Sequence, residues 1–459
     1  MVLQKSSSSS SSSMVFKVRR NPAELVAPAG PTPNELKLLS DIDDQQNLRA
    51  HYSVVQFFPY QPSMAGKDPV HVIREALSKA LVFYYPLAGR LREGPRGKLV
   101  VDCTSEGVLF IQADADVTLD HFGVDPLPPF PCFDELLLDV PFSDDGMINS
   151  PLLLIQVTRL KCGGFIFAIR VNHTLCDGCG IGQFIKAIAE IAQGASNPSI
   201  LPVWCRELLC ARDPPRVTFI HHEYKQVPID NDDKTVFLKP SQVSFFFGPK
   251  EIDALRCLLP RHLAQSSTTF DILTACLWRC RTAALQWNPN KKVRLMYAIN
   301  ARFESCRFNP PLPQGYYGNA FVFPAAVCSV GMLCQQPLSY ALELVKESKK
   351  KATEEYVHSV ADLMAIKGRP DVIVEGSLLV SDITKCGFRE VDFGWGKALY
   401  SGLADTGGPE DIPGVSYFVP HTNSKGEHGR VLLICLPEEA IKRFEQELNR
   451  ILQSSDQGY

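Results

Sequence analysis

The chain has 459 residues, 45% of them hydrophobic and 21% charged, with a net charge of −3. That length suits two or three globular domains with large cores, and so small a net charge gives no footing for nucleic acid or an acidic membrane surface as partner. No apolar run nears the roughly 18 residues that a bilayer span needs, and 15 cysteines without an apolar leader read as free thiols in a reducing compartment.

In chain order, Ser6 to Ser13 form an unbroken serine run, and residues 1–13 are expected to be a disordered tail. A Ser-rich, acid-free opening also fits a plastid transit peptide, but folded-looking sequence begins at Val15, so a cytoplasmic protein is expected. Short strands then alternate with amphipathic helices. Over residues 70–81, Ile73, Ala76, Leu77, Ala80 and Leu81 share one helical face, and Pro86 and Gly89 stop the helix. Residues 99–102, 107–111 and 165–171 read as strands. Ile181, Phe184, Ile185, Ile188 and Ile191 recur at helical spacing up to Gly194, which caps the end. Periodicity fails from Leu201 to Lys239, where Pro202, Pro214, Pro215, Pro228 and the acidic cluster at 230–233 mark a crossover. A second alternating region follows. Residues 244–248, 295–299 and 376–381 read as strands. Residues 269–278 read as a helix capped by Ser267, Thr268 or Thr269. A last helix opens at Pro437 and buries Ile441, Phe444, Leu448 and Ile451. The expected organisation is α/β in two halves, 14–205 and 240–459, joined by a crossover loop at 206–239.

The strand at 165–171 runs directly into His173-Thr-Leu-Cys-Asp177-Gly178. An imidazole at a strand end, on a turn into a helix, can be presented to a cleft, and histidine is the side chain best suited to take a proton from a hydroxyl near neutral pH. The spacing by itself is weak, since chance supplies roughly half of one His-x-x-x-Asp in such a chain. Two more occur. His121 and Asp125 lie in a proline-rich stretch. His358 and Asp362 lie on a predicted helix as i,i+4 neighbours, where a surface ion pair or N–H···O contact is expected. Only His173 has a strand before it and a glycine-rich turn after it. Taken alone it reads equally as a general base or as a buried structural histidine. Cys176 and Cys179 make a single C-x-x-C, too little for a zinc site, and no metal is expected.

A second stretch, Asp392-Phe-Gly-Trp-Gly396, alone reads as a turn with buried aromatics. Paired with the His173 motif, at this separation, it resembles the plant BAHD acyl-CoA-dependent acyltransferase family. Similar segments are Leu39-Ser-Asp-Ile-Asp43, Tyr85-Pro-Leu-Ala-Gly-Arg-Leu91, Asn300-Ala-Arg302 and Tyr317-Gly-Asn319. The resemblance covers residues 14–459. It is strongest to the clade of alcohol acyltransferases that includes benzyl alcohol O-benzoyltransferases and alkaloid tigloyltransferases, with Leu160-Lys-Cys-Gly-Gly-Phe-Ile-Phe167 among the similar runs.

The resemblance implies two chloramphenicol-acetyltransferase-like domains, with a solvent channel between them and His173 midway along it. Acyl-CoA would be the co-substrate and a small alcohol the acceptor. No cofactor would be permanently bound, and the chain would act as a monomer. His173 would deprotonate the alcohol through Nε2, and transfer would be direct. Thr384, on the strand before the second motif, is the implied oxyanion donor; Ile383 stands where some members carry Trp. Asp177 could hold the His173 tautomer or pair with an arginine, and the resemblance favours Arg302. Gly178, Asp392, Gly394, Trp395 and Gly396 are implied structural supports. Ser267, Thr268 and Thr269 could cap their helix or meet CoA phosphates. Cys176 is expected to be a packed small residue. Two alternatives share the core motif. One is a carrier-protein-dependent condensation-type acyltransferase, which usually carries a second His where Asn172 stands here. The other is a non-catalytic binding protein on the same fold.

Overall fold

The structure, a computed structural model, describes residues 16–137, 146–224, 241–302, 306, 308–404 and 415–453. The serine run and the acidic cluster at 230–233 lie outside the described residues.

Two large mixed sheets organise the molecule, each with its own core. In the first, the neighbours run Val18–Arg20, Val108–Ala115, Leu153–Arg159, Phe165–Asn172, His51–Phe58 and Tyr400–Leu403, with Glu24–Val26 also pairing Val108–Ala115. Phe165–Asn172 is central and antiparallel to both neighbours, and all its residues but Arg170 are buried. A strand covered on both faces reads as a continuous apolar run, which is how Phe165-Ile-Phe-Ala-Ile reads. Helix Pro69–Phe83 opens with Asp68, whose carboxylate accepts from Val70 N at 3.1 Å, and with Pro69 in its first turn. It packs on Gly178–Ala192, the helix that follows the motif.

The second sheet runs Ser241–Phe247, His428–Leu436, Val415–Thr422, Ser377–Asp382, Lys292–Tyr297 and Ala325–Ser329. Helix Thr269–Leu285 is buried on most of its surface and packs against Leu338–Lys350 and Glu438–Gln453. A two-stranded pairing of Ile299–Asn300 with Phe321–Val322 lies just before Arg302 and just after Asn319.

Three features go beyond the sequence reading. First, the stretch after 240 is not self-contained. Tyr400–Leu403 pairs with His51–Phe58 in the first sheet, Tyr400 opposite Phe57 and Leu403 opposite Val54. Phe388, Phe393, Trp395 and Tyr400 belong to the first core, while Ile42 and Leu48 belong to the second. A four-residue strand carries no local mark of the sheet it will join, because pairing is decided by partners far away in sequence. Second, the described part of the crossover is anchored. Arg206 is buried in an ion pair with Asp43 at 3.1 Å, and buried His221 bridges Glu223 and Ser359 at 2.9 Å each. Third, the strand before the second motif ends at Asp382, whose Oδ1 accepts from Thr384 N at 3.0 Å. Thr384 therefore starts a turn. A short side chain bonding the backbone two residues on is a common way to end a strand.

Candidate active site

Asn172 ends the central strand and builds the turn that follows. Its Oδ1 accepts from Thr174 N at 3.1 Å and Thr174 Oγ1 at 2.7 Å, and its carbonyl accepts from Leu175 N at 3.1 Å. The His173 N–H donates to the Ala50 carbonyl at 2.8 Å, so both ends of the turn are fixed. Asp177 then caps the helix, accepting from Gly180 N at 2.9 Å. Gly180 is required by close approach: a Cβ there would lie 1.9 Å from the Tyr317 carbonyl oxygen. Gly178 opens the helix facing Ile383 and Cys386.

His173 Nδ1 lies 3.0 Å from Asn319 Oδ1. The direction of that bond follows from the rest of the network. Asn319 Nδ2 donates to the His173 carbonyl at 2.7 Å and to Asp43 Oδ1 at 2.9 Å, which fixes the amide with its oxygen toward the imidazole. An amide oxygen can only accept. Nδ1 therefore carries the proton in the neutral ring, and the lone pair sits on Nε2, which has no hydrogen-bond partner among the described residues. The ring is held between Tyr52, at 4.5 Å between centroids, and Phe321, at 6.0 Å. It lies deep in the protein yet keeps some accessible surface. Burial lowers its pKa from the ordinary imidazole value, so it is neutral at pH 7.

Asp177 does not touch the imidazole. Its Oδ2 binds Arg302 Nη1 at 2.7 Å and Ala320 N at 3.0 Å. Arg302 Nε in turn donates to the Tyr316 carbonyl at 3.0 Å, and Nη2 donates to the Gly318 carbonyl. The pair thus ties the start of the helix to residues 316–320, the segment that carries Asn319. Behind Asn319, the buried Asp43 also accepts from Asn319 N at 2.9 Å and from Arg206 at 3.1 Å. Arg206 reaches the Leu175 carbonyl at 2.7 Å and stacks on Trp204 at 4.4 Å.

The other predicted positions are dispersed. Asp392 Oδ1 accepts from Gly394 N at 2.7 Å and Gly396 N at 2.9 Å, with both glycines at positive φ of 105° and 80°. Trp395 packs edge-on against Phe165 at 5.3 Å, and Phe393 meets Phe58 and Phe167. Phe165 is the far end of the motif strand, roughly 26 Å from His173 at about 3.3 Å per residue. The Gln193 side chain, at the other end of the motif helix, donates to the Asp392 carbonyl. This loop therefore grips the strand and helix that present His173 and stays away from the imidazole. Thr384 is partly exposed, and its hydroxyl makes no hydrogen bond among the described residues. Thr268 caps its helix, its Oγ1 accepting from Asp271 N at 3.2 Å. Ser267 Oγ accepts from Lys346 at 3.3 Å, and Thr269 Oγ1 accepts from Arg256 at 3.4 Å. Cys176 is fully buried, and burial pushes its thiol up to about 12.

The expected His358–Asp362 contact is absent. His358 faces Glu354 at 3.8 Å, and the buried Asp362 binds Arg212 at 2.7 Å. His121 serves as a capping partner of Thr118. Among the described residues, no group of three or more His, Cys, Asp or Glu could hold a metal, and no helix is long and apolar enough to cross a membrane. Sequence reasoning missed the roles of Asn319, Asp43, Arg206 and Tyr52. Tyr317-Gly-Asn319 and Leu39-Ser-Asp-Ile-Asp43 stood out as segments, but nothing in them said that they meet.

Such a neutral imidazole, with one nitrogen tied and the other carrying its lone pair, has the form a proton acceptor needs. The fold is shared with vinorine synthase, at a TM-score of 0.72 and 21% identity over 95% of this chain and 98% of that one. It is also shared with F. sporotrichioides TRI101 complexed with coenzyme A and T-2, at a TM-score of 0.66 and 18% identity over 91% and 98%. Residues 16–451 match the Transferase family, and the chain belongs to it, as a BAHD acyltransferase. It is 63% identical over 449 residues to 13-hydroxylupanine O-tigloyltransferase of Lupinus albus, covering 97% of each chain. It is 57% identical over 454 residues to benzyl alcohol O-benzoyltransferase of Petunia hybrida, covering 98% and 97%. With alcohol acyltransferase 16 of Actinidia chinensis var. chinensis it shares 53% over 450 residues, covering 97% and 96%.

Proposed function

We propose that this enzyme moves an acyl group of the benzoyl, tigloyl or acetyl kind from CoA to the hydroxyl of a small alcohol, by direct attack within a ternary complex. The observation that carries the reading is the fixed Nδ1–H of His173 on Asn319, which leaves Nε2 free to accept a proton. The thioester is already activated, so the chain's work is to position two substrates and deprotonate one of them. Neutral His173 takes the alcohol proton as the oxygen attacks the acyl carbon. The tetrahedral oxyanion collapses and expels CoA thiolate, to which the imidazolium returns the proton.

Thr384, with an unengaged hydroxyl beside the motif helix, is our candidate oxyanion donor, a role worth on the order of 10²–10³ in rate. For CoA phosphates we propose the helix start at Ser267, Thr268 and Thr269, where Lys346 and Arg256 already bring positive charge. The domains we assign are 14–205 and 240–459, the second lending Tyr400–Leu403 to the first sheet. His173 lies where their residues meet, in a channel that CoA and alcohol enter from opposite faces. We further propose a cytoplasmic monomer that holds neither metal nor permanent cofactor.

Cys176, inside the motif, is the rival acyl carrier. At a pKa of about 12 it is protonated throughout the working range, and a thiol is a poor nucleophile. Initial rates of CoA release, with benzoyl-CoA, tigloyl-CoA or acetyl-CoA against benzyl alcohol, should give intersecting lines. Parallel lines, with a CoA burst that needs no alcohol and vanishes in Cys176→Ala, would replace this mechanism with an acyl-enzyme.

A further inference from the structure

We propose that Cys179 and Cys386 form a peroxide-responsive thiol pair, and that their oxidation to a disulfide locks the motif helix to the turn beside it and slows the enzyme. The two sulfurs lie 3.0 Å apart, although 207 positions separate them in the chain. Cys179 is in the first turn of Gly178–Ala192, two residues after Asp177; Cys386 is in the turn after Ser377–Asp382, two residues after Thr384. Both residues are only partly buried. The backbones are already in contact: a Cβ on Gly182 would fall 1.8 Å from the Cys386 carbonyl oxygen, and one on Gly178 would fall 3.3 Å from its sulfur. Closing 3.0 Å to the roughly 2.05 Å of a disulfide therefore asks for a shift of about 1 Å.

The surroundings assign the roles. Asn300 Nδ2 donates to Cys179 Sγ at 3.2 Å, and the first turn of a helix offers unpaired N–H groups. Cys179 is thus the attacking sulfur. The hydrogen bond it donates to Cys179, together with burial, pushes the Cys386 thiol well up, so Cys386 stays a thiol while Cys179 reacts first, and its proton leaves with the sulfenic oxygen in the second step. The Cys179 sulfur attacks hydrogen peroxide, the O–O bond breaks, and a sulfenic acid and water form. The Cys386 sulfur then displaces the sulfenic oxygen as a second water, leaving the disulfide. Two thiols are oxidised and one peroxide is reduced. A dithiol reductant reverses the change.

Locking the helix start moves Asp177 or the turn that carries Thr384, and misplacement of about 1 Å near a reacting centre can slow a reaction up to about 10²-fold. That consequence rests on the acyl-transfer reading; the cross-link itself does not. Cys276 and Cys280, 3.8 Å apart but buried on one helix, provide an internal control.

The test treats the full chain with dilute hydrogen peroxide, digests it without reductant and weighs the peptides. A Cys179–Cys386 peptide two hydrogens lighter is expected, together with a roughly tenfold loss of CoA release that dithiothreitol restores. Cys179→Ser and Cys386→Ser should each be active and insensitive to peroxide. The thiol pair is refuted if native, folded protein yields no such peptide, or if Cys276 and Cys280 cross-link as readily. A full yield of linked peptide with an unchanged rate refutes the lock. Inactivity of the reduced enzyme towards every acyl-CoA offered would count against the acyl-transfer reading, and the peptide readout would still decide the cross-link.

Discussion

The chain carries a His-x-x-x-Asp spacing at His173–Asp177 and again at His358–Asp362, and the two have more in common than their letters. In neither does the histidine hydrogen-bond the aspartate. In both, the aspartate is buried and held by an arginine distant in sequence, Arg302 for Asp177 and Arg212 for Asp362. The histidines are what differ. His358 lies along a helix facing Glu354, one turn back. His173 follows the last residue of a buried strand, where the turn built by Asn172 sends it away from Asp177 and onto Asn319. A shared spacing therefore says that an aspartate can brace a local structure. Reactivity depends on where the backbone sends the imidazole and on what holds its other nitrogen.

Breaking the two sites in parallel should separate these roles most sharply. His173→Ala is expected to lower kcat/KM by about 10²–10⁴, with an unchanged melting temperature. His358→Ala should leave turnover within about a factor of two, since nothing couples it to the turn. Substantial turnover in His173→Ala would sink the general-base assignment. The next largest effect belongs to the group that fixes the tautomer. Asn319→Ala should slow transfer on the order of 10²-fold with little change in the KM for acyl-CoA, because a free ring spends time with the proton on Nε2. A rise in KM alone would make Asn319 a binding residue.

Asp177→Asn and Asp362→Asn should look alike in denaturant and unlike in assay. Each weakens a pair between a buried carboxylate and a partly exposed arginine and should lose about 1–3 kcal/mol of stability, less at Asp362 because Arg212 keeps Glu355, but only Asp177→Asn should also lose rate, through the displaced 316–320 segment. An active-site loss at Asp177 with unchanged stability would contradict the brace. The gentlest probe is pH. Burial depresses the His173 pKa, so the neutral form is fully present above the ordinary value of about 6.5 and is lost as pH falls towards the lower folded value. The stability associated with keeping that ring neutral is lost in the same direction. Wild-type kcat/KM should be flat at neutral pH and fall with a midpoint below about 6.5; a midpoint above it would mean that the ring is not buried in the working enzyme.

Much of this was readable along the chain, because it is written in local periodicity and local turn chemistry. The central strand announced itself as an apolar run, and the helices after it by their 3.6-residue spacing. Both motifs were visible because residues that build a turn must be neighbours. Less legible was Thr384, placed at a strand end in the sequence reading but standing in a turn, because Asp382 stops the strand with its own side chain. Tyr400–Leu403 belonged by position to the second half and by pairing to the first sheet.

By itself the sequence determined the α/β alternation, the strand–turn–helix that carries His173, the glycines of the second motif and the family. Each depends on residues within one turn or one strand of each other, or on motif wording. Only the tertiary structure decided that Asn319 sets the tautomer, that Asp43 and Arg206 stand behind it, and that Asp177 belongs to Arg302. It alone put Cys179 against Cys386. These contacts join positions more than a hundred residues apart, and spacing along a chain carries no information about which distant side chain will fill a buried hydrogen bond.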